Sequence, residues 1–231
     1  MDSLVSIRNL VKTYTRGAQK VEVLHGIDVE IPKGDFVALM GPSGSGKTTL
    51  LNLIGGLDTP SSGSVSVAGQ RIDQFSGTQL AKWRAENVGF VFQFYNLLPV
   101  LTAQKNVELP LLLKKMGAAE RAKRANLALT LVGLGDRTSH KPKELSGGQE
   151  QRVAIARAIV TDPLVLLADE PTGNLDTARS HEIMELLTRL NDERDLTIIM
   201  VTHEPDMAAF AHRTIRFVDG HIESDTLREA A

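Results

Sequence analysis

The chain has 231 residues, 42% hydrophobic and 4% aromatic, and its 26 Lys and Arg against 28 Asp and Glu give a formal net charge of −2. It is long enough for a sizeable core in one large domain or two small ones, which excludes a disordered chain and a mini-protein; the near-neutral balance leaves no global electrostatic footprint for nucleic acid. The absence of cysteine removes disulfides, thiolate nucleophiles and thiolate metal sites.

In chain order, the start from Met1 to Tyr14 has no basic region followed by an apolar one, so no secretory signal is expected. Val5 and Ile7, then Ile27, Val29 and Ile31 ahead of Pro32-Lys33-Gly34, and Val65 and Val67 after Ser61-Ser62-Gly63 predict an antiparallel β layer. Phe36 to Met40, Val88 to Phe92, Leu164 to Ala168 and Ile198 to Val201 are apolar at every position instead of alternating. Such runs fit strands buried on both faces of a parallel sheet. From about Tyr95 to Glu144 the pattern turns to Leu/Ala-rich helix, with Gly133 as a C-cap after Ala119 to Val132. Lys114, Lys115, Arg121, Lys123 and Arg124 fall in this stretch and read as a solvated face. Ile183, Leu186, Leu187 and Leu190 keep helical spacing, and Asp219-Gly220 predicts a hairpin. The expected fold class is α/β, one domain over 1–231, with a core of 1–93 and 150–231 and a helical insertion over 94–149. No apolar run approaches the roughly 20 residues that span a bilayer, so work at a membrane would need another chain to provide the span.

Gly41-Pro42-Ser43-Gly44-Ser45-Gly46-Lys47-Thr48 satisfies GxxxxGK[ST] between an apolar run and a helix-forming segment. Its glycines let backbone N–H groups turn inward to phosphate oxygens, Lys47 is placed for the β and γ phosphates, and Thr48 for Mg²⁺. The run Leu164 to Ala168 delivers Asp169 and Glu170 at its end, where open α/β sheets bind ligands. Asp169 is expected to orient Mg²⁺, and Glu170 to polarise an attacking water as general base. Gln93 and His203 also stand just past apolar runs. The first suits Mg²⁺ or a water, the second a hydrogen bond to the γ-phosphate. Leu145-Ser146-Gly147-Gly148-Gln149 precedes a helix of about Glu150 to Val160. Ser146 and Gln149 could be a capping box and nothing more; two glycines at the first helical positions cost helix propensity and leave N–H groups bare, which favours an anion site.

These motifs, in this order and over nearly the whole chain, resemble the ATP-binding cassette (ABC) family. The resemblance implies a P-loop NTPase core with a parallel sheet, an antiparallel β layer and an inserted α-helical subdomain. It implies an ATPase whose cofactors are ATP and Mg²⁺. Tyr14 is similar to the aromatic that stacks on adenine, and Gly41, Pro42, Ser43, Gly44, Ser45, Gly46, Lys47, Thr48 and Thr49 to the Walker A loop. Gln93 resembles the Q-loop residue, and Ser146, Gly147, Gly148 and Gln149 the family's signature. Asp169 and Glu170 resemble the Walker B pair, Asn174-Leu175-Asp176 the D-loop, and His203 the switch histidine. By the same resemblance Lys47, Glu170 and His203 carry catalysis and Thr48, Gln93 and Asp169 hold the metal, while two copies pack head to tail so that Ser146 meets ATP held on the other copy's Lys47 loop. The partner implied is a transmembrane permease, and the place the cytoplasmic face of the inner membrane, as a peripheral subunit.

Ala168 to Asp176 and Phe90 to Pro99 look like the lipoprotein-releasing, macrolide-exporting and cell-division ATPases, which implies export or extraction of lipoprotein, peptide or drug. A mechanotransmission ATPase that moves no substrate is the alternative. The DNA-repair and chromosome-structuring classes require a coiled-coil insertion or two cassettes, and Lys47 and Asp169 are only 122 positions apart. A kinase or GTPase has no use for LSGGQ. With 61 residues after Glu170, neither the C-terminal regulatory domain of some sugar and amino-acid importers nor a fused permease is expected. Phe94, Tyr95, Leu97, Leu98, Pro99, Val100 and Leu101 are too apolar for an ordinary solvated loop. They either fill the junction with the helical insertion or, with the helices to about Leu113, receive a cytoplasmic helix of the permease.

Overall fold

The computed structural model describes residues 3–17 and 19–228. Two long strands, β1 (Ser3–Arg16) and β2 (Gln19–Pro32), pair antiparallel and are joined by β4 (Ser62–Val67) and the two-residue β5 (Gln70–Arg71) in the order β2-β1-β4-β5. This is the antiparallel layer expected from Val5, Ile7, Ile27, Val29, Ile31, Val65 and Val67, all of which point into one core.

The second sheet contains β3 (Phe36–Met40), β6 (Val88–Phe92), β7 (Val165–Asp169), β8 (Thr197–Val201), β9 (Arg213–Val218) and β10 (His221–Leu227), in the order β10-β9-β3-β8-β7-β6. All neighbours run parallel except the β9–β10 hairpin across Asp219-Gly220. The apolar runs are continuous because both faces are covered. Phe36, Ala38, Leu166, Ala168, Ile198 and Met200 face helices. Val37, Leu39, Val165, Leu167, Ile199 and Val201 face the antiparallel layer and α1 (Lys47–Ile54). The strand expected at Leu164 to Ala168 starts one residue later and takes in Asp169, which pairs in register with Phe92 and Val201.

The remaining helices are α2 (Gly77–Asn87), α3 (Ala103–Glu108), α4 (Ala118–Leu131), α5 (Gly147–Ile159), α6 (Thr177–Arg194) and the short α7 (Pro205–Ala208). Gly133, at φ 77°, follows α4 as its left-handed stop. α5 begins three residues before the expected Glu150, so both signature glycines lie inside it, and the expected 149/150 division falls within this helix. Ala103, Val107, Ala125, Leu129, Val153 and Ile155 share one apolar cluster with the sheet, so α3 and α4 are packed onto the core through α5.

Ile198 sits in the middle strand and is fully buried. Its replacement by Ala should cost about 2–5 kcal/mol in urea unfolding, whereas Leu127→Ala on the exposed face of α4 should stay within about 0.5 kcal/mol.

Candidate active site

Four neighbouring strands end on one edge of the sheet, β3, β8 and β6 each delivering one chemical group and β7 two carboxylates. The loop after β3 enters at Gly41, whose φ is 142° and where a Cβ would lie 2.1 Å from the Phe217 carbonyl oxygen of β9. Only glycine passes there. The loop closes at Gly46, φ 99°, packed against Val23 and Leu24 of β2. Its Ser45 carbonyl accepts from the Gly220 N–H of the hairpin, 3.2 Å.

Inside the turn Lys47 is 7% exposed, its Nζ donating to the carbonyls of Gly41 (2.8 Å) and Pro42 (2.7 Å). Burial pushes the amine below its ordinary value, and the charges of Glu170 and Asp169 oppose that fall. Thr48 Oγ1 donates to Asp169 Oδ1 at 3.1 Å. Burial raises the Asp169 carboxyl above the usual range; the Thr48 bond pulls it down, Glu170 pushes it further up, and Lys47 pulls it down. Glu170 stands in a left-handed conformation, φ 48°, with its N–H on the Val201 carbonyl (3.0 Å). Its Oε1 lies 3.1 Å from His203 Nδ1, just past β8. Gln93, just past β6, donates from Nε2 to Asn174 Oδ1 at 3.4 Å, and Asn174 Nδ2 donates to the Gln93 carbonyl at 2.9 Å.

These groups border two adjoining hollows. One, of about 640 Å³, is lined by Val23, Ser43, Gly44, Gly46, Lys47, Thr48, Thr49, Glu170, Val201 and His203. The other, of about 370 Å³, is lined by Thr48, Phe92, Gln93, Phe94, Asn96, Asp169 and Glu170. Gly41, Pro42 and Ser45 shape the first by holding Lys47. Tyr14 is not among its lining residues: the ring is 42% exposed at its margin, with the hydroxyl on Asp58 Oδ2 (2.7 Å).

The signature residues are not brought to either hollow. Ser146 and Gln149 form the reciprocal capping box, Gln149 N–H to Ser146 Oγ at 3.4 Å and Ser146 N–H to Gln149 Oε1 at 2.9 Å. Gly147 has a local reason that sequence reasoning missed, because a Cβ there would lie 2.9 Å from the Tyr95 hydroxyl. Gly148 would meet only an ordinary contact with Arg179, so close packing does not explain the second glycine.

The loop from Phe92 to Thr102 is held by side chains where a ladder would otherwise hold it. Arg157 donates to the carbonyls of Tyr95 (2.8 Å) and Asn96 (2.6 Å). The fully buried Asn106 donates to those of Leu98, Leu101 and Thr102 and accepts from the Leu98 N–H. Neither residue was singled out from sequence: α3 reads AQKNVE, in which Asn106 stands among other polar residues and gives no local signal. Leu97 packs on the core, while Phe94 (70% exposed), Leu98 (47%) and Val100 (74%) point outward. Beside them a groove of about 510 Å³ opens between α2, β6 and the Leu109–Leu113 turn, with Leu57, Arg84, Phe90, Leu113 and Arg157 on its walls.

A glycine-rich loop around a buried lysine, paired carboxylates and a histidine on adjacent strand ends are the groups a nucleotide hydrolase needs. Residues 24–173 match the family described as ABC transporter. The chain is 50% identical over 219 residues to the uncharacterized ABC transporter ATP-binding protein YknY of Bacillus subtilis (strain 168), covering 95% of both. It is 47% identical over 225 residues to the lipoprotein-releasing system ATP-binding protein LolD of Geobacter metallireducens, covering 97% of this chain and 100% of that one. Among solved structures it is similar to the ATP-binding cassette MJ0796 of Methanocaldococcus jannaschii, a dimer in a post-hydrolysis state with ADP and phosphate, at a TM-score of 0.89 and 43% identity over 98% of this chain and 100% of that one. The chain belongs to the ABC transporter family and is an ATPase of that family.

The raised Asp169 carboxyl has a consequence for stability. Its folded form holds a proton more tightly than the unfolded chain, so this group's contribution is lost as pH rises through the window just above 3.8. Asp169→Asn removes that cost and should melt at a higher temperature than the parent at pH 7, with the gap narrowing as the pH falls toward 4.

Proposed function

We propose that two copies of this chain clamp two ATP molecules between the Lys47 loop of one and the Ser146 helix of the other, and so drive a separate transmembrane permease as a peripheral subunit on the cytoplasmic face of the inner membrane. The observation that carries this reading is the separation just described: the Ser146 helix start is exposed and capped, yet it borders neither hollow. The dimeric state of MJ0796 supports a second copy as the missing wall.

Within one copy, the Lys47 ammonium exchanges its carbonyl partners for β- and γ-phosphate oxygens. Ser43, Gly44 and Gly46 offer N–H groups to the phosphates, with the start of α1 behind them, while the Ser45 N–H braces the loop on the Pro42 carbonyl at 3.3 Å. Thr48 Oγ1 and Asp169 Oδ1, with Gln93 across the second hollow, form an all-oxygen donor set that suits Mg²⁺, which keeps waters and phosphate ligands and needs few from the protein. Bound there, the ion neutralises charge on the β and γ phosphates. Glu170 orients and deprotonates the attacking water. His203 pairs its Nδ1 with Glu170 Oε1 at 3.1 Å, and its Nε2 is the atom left for the γ-phosphate. Tyr14 stacks on adenine. Residues 94–149 serve as the subdomain that carries the signature to the other copy.

Phe94, Leu98 and Val100, with the groove between α2 and Leu113, receive a cytoplasmic helix of the permease. The full-length similarity to LolD favours extraction or export of a lipoprotein, peptide or drug.

Glu170→Gln should lower turnover by roughly 10²–10⁴-fold while ATP still binds. Gel filtration of this variant with Mg-ATP should show a dimer; a monomer with ATP demonstrably bound would contradict the shared site. Leu98→Glu should leave ATP binding intact and abolish co-purification with the permease and stimulation by it. Normal assembly and stimulated turnover in that variant would exclude this surface as the docking site.

A further inference from the structure

A part-buried ion pair beside the nucleotide hollow is unused by the chemistry above. Lys12 of β1 is 8% exposed, and its Nζ donates to Asp58 Oδ1 (2.6 Å) and to the Thr59 carbonyl (2.7 Å). Such a pair is weak as a source of net stability, because desolvation consumes most of the attraction. Apart from the Thr59 N–H on Asp58, its side-chain contacts lead to Tyr14. The Tyr14 hydroxyl donates to the second carboxylate oxygen, Asp58 Oδ2, at 2.7 Å. The Lys12 ammonium stands 4.7 Å from the centroid of the same ring, in cation–π range. The hydroxyl is also within reach of the side chain of Thr49, which lines the larger hollow.

The charge states suit this arrangement. Burial and the neighbouring Asp58 raise the Tyr14 phenol, which keeps it protonated and donating. Burial disfavours ionised Asp58, but hydrogen bonds from Lys12, Tyr14 and the Thr59 N–H outweigh it and hold the carboxyl below the usual range. Asp58 is itself fixed to the end of α1, since the N–H groups of Leu57 and Asp58 both donate to the Asn52 carbonyl, at 2.9 and 3.3 Å. The helix that starts at Lys47 therefore carries, one rigid element later, the anchor of the ring.

We propose that Lys12 and Asp58 are positioning residues for nucleotide recognition: fixed to the end of α1, they set the plane of the Tyr14 ring and cover one of its faces, leaving the other preset for a purine base whose phosphates lie on the Lys47 loop. The proposal rests on Tyr14 being the base-stacking residue. A floating exposed tyrosine would lose rotamer freedom on binding; a ring already pinned at its hydroxyl and one face loses little.

The test is calorimetric titration of ADP and of inorganic pyrophosphate, each with Mg²⁺, into the full chain and its Tyr14→Phe, Tyr14→Ala, Asp58→Asn and Lys12→Met variants. Tyr14→Phe keeps the ring and deletes only the contacts of its hydroxyl, the bond to Asp58 first among them, at a half-exposed position where folding is not at stake. This variant, Asp58→Asn and Lys12→Met should each weaken ADP by about three- to tenfold, while pyrophosphate affinity stays within about twofold of the parent. In a Tyr14→Ala background, Asp58→Asn should change neither ligand. Parental ADP affinity in Tyr14→Phe and Asp58→Asn, with ADP weakened in Tyr14→Ala, would overturn the proposal and leave the stacking role standing. Parental ADP affinity in Tyr14→Ala would overturn both. An equal loss of ADP and pyrophosphate in Asp58→Asn would assign the pair to the stability of α1 and overturn the proposal as well.

Discussion

An ammonium group buried without a carboxylate in hydrogen-bond contact is the constraint around which this molecule is arranged. Lys47 is satisfied by the carbonyls of Gly41 and Pro42, which obliges the loop to wrap around its own side chain. That wrap turns the Gly41 and Pro42 carbonyls inward, Pro42 also accepting the Ser45 N–H at 3.3 Å, and leaves the other N–H groups of the loop to face an anion. It also needs rigid walls. Phe217 of β9 backs Gly41, Val23 and Leu24 of β2 back Gly46, and Gly220 of the hairpin holds Ser45. The antiparallel layer and the parallel sheet thus meet at the phosphate loop, and the order β3-β8-β7-β6 then sets out Lys47, His203, Asp169 with Glu170, and Gln93 side by side.

The chemistry is concentrated where the backbone departs from regular structure. Glu170 and Asn96 both have positive φ, a cost that persists only where surroundings enforce it. For Glu170 the enforcement comes from the Val201 carbonyl and from the buried Gln151, whose side-chain amide donates to Pro171 just beyond it. For Asn96 it comes from Arg157 on the same helix. α5 therefore starts at the signature and grips, from its interior, the segments on either side of the second hollow. A loop whose carbonyls are held by side chains can exchange those partners without unravelling a sheet, which suits a segment that borders both Asp169 and the exposed Phe94, Leu98 and Val100.

Much of this was legible because burial on both faces leaves an unmistakable pattern: the four continuous apolar runs are β3, β6, β7 and β8, and Gly41, Gln93, Asp169 and His203, all proposed for the site, follow them within two positions. The phosphate loop was equally plain, since its glycines are dictated by positive φ and by the approach of Phe217. The helix α2 was not legible, because only Leu80 and Trp83 of its residues are buried and no apolar stripe results. Gly147 was read as leaving its N–H bare for an anion; the structure adds a packing reason, since a Cβ there would lie 2.9 Å from the Tyr95 hydroxyl, a contact that joins residues 52 positions apart and leaves no trace in local spacing. The anchoring of Tyr14 by Asp58 was hidden for the same reason. The division of the site lies beyond one chain's packing altogether, since Ser146 is capped internally and no side chain in its own copy calls for a phosphate there.

The central claim, that one active site is built from two copies, is tested most directly by mixing two variants that are each inactive for a different reason. Lys47→Ala disables the phosphate loop, and Ser146→Arg blocks the signature. In a mixed dimer one site combines the intact Lys47 loop of the second variant with the intact Ser146 helix of the first, while the other site carries both defects. Mixing the two folded proteins and measuring ATP hydrolysis should restore a substantial fraction of parental activity that neither shows alone. Activity no greater than the sum of the separate variants, with mixed dimers demonstrably present, would contradict the account.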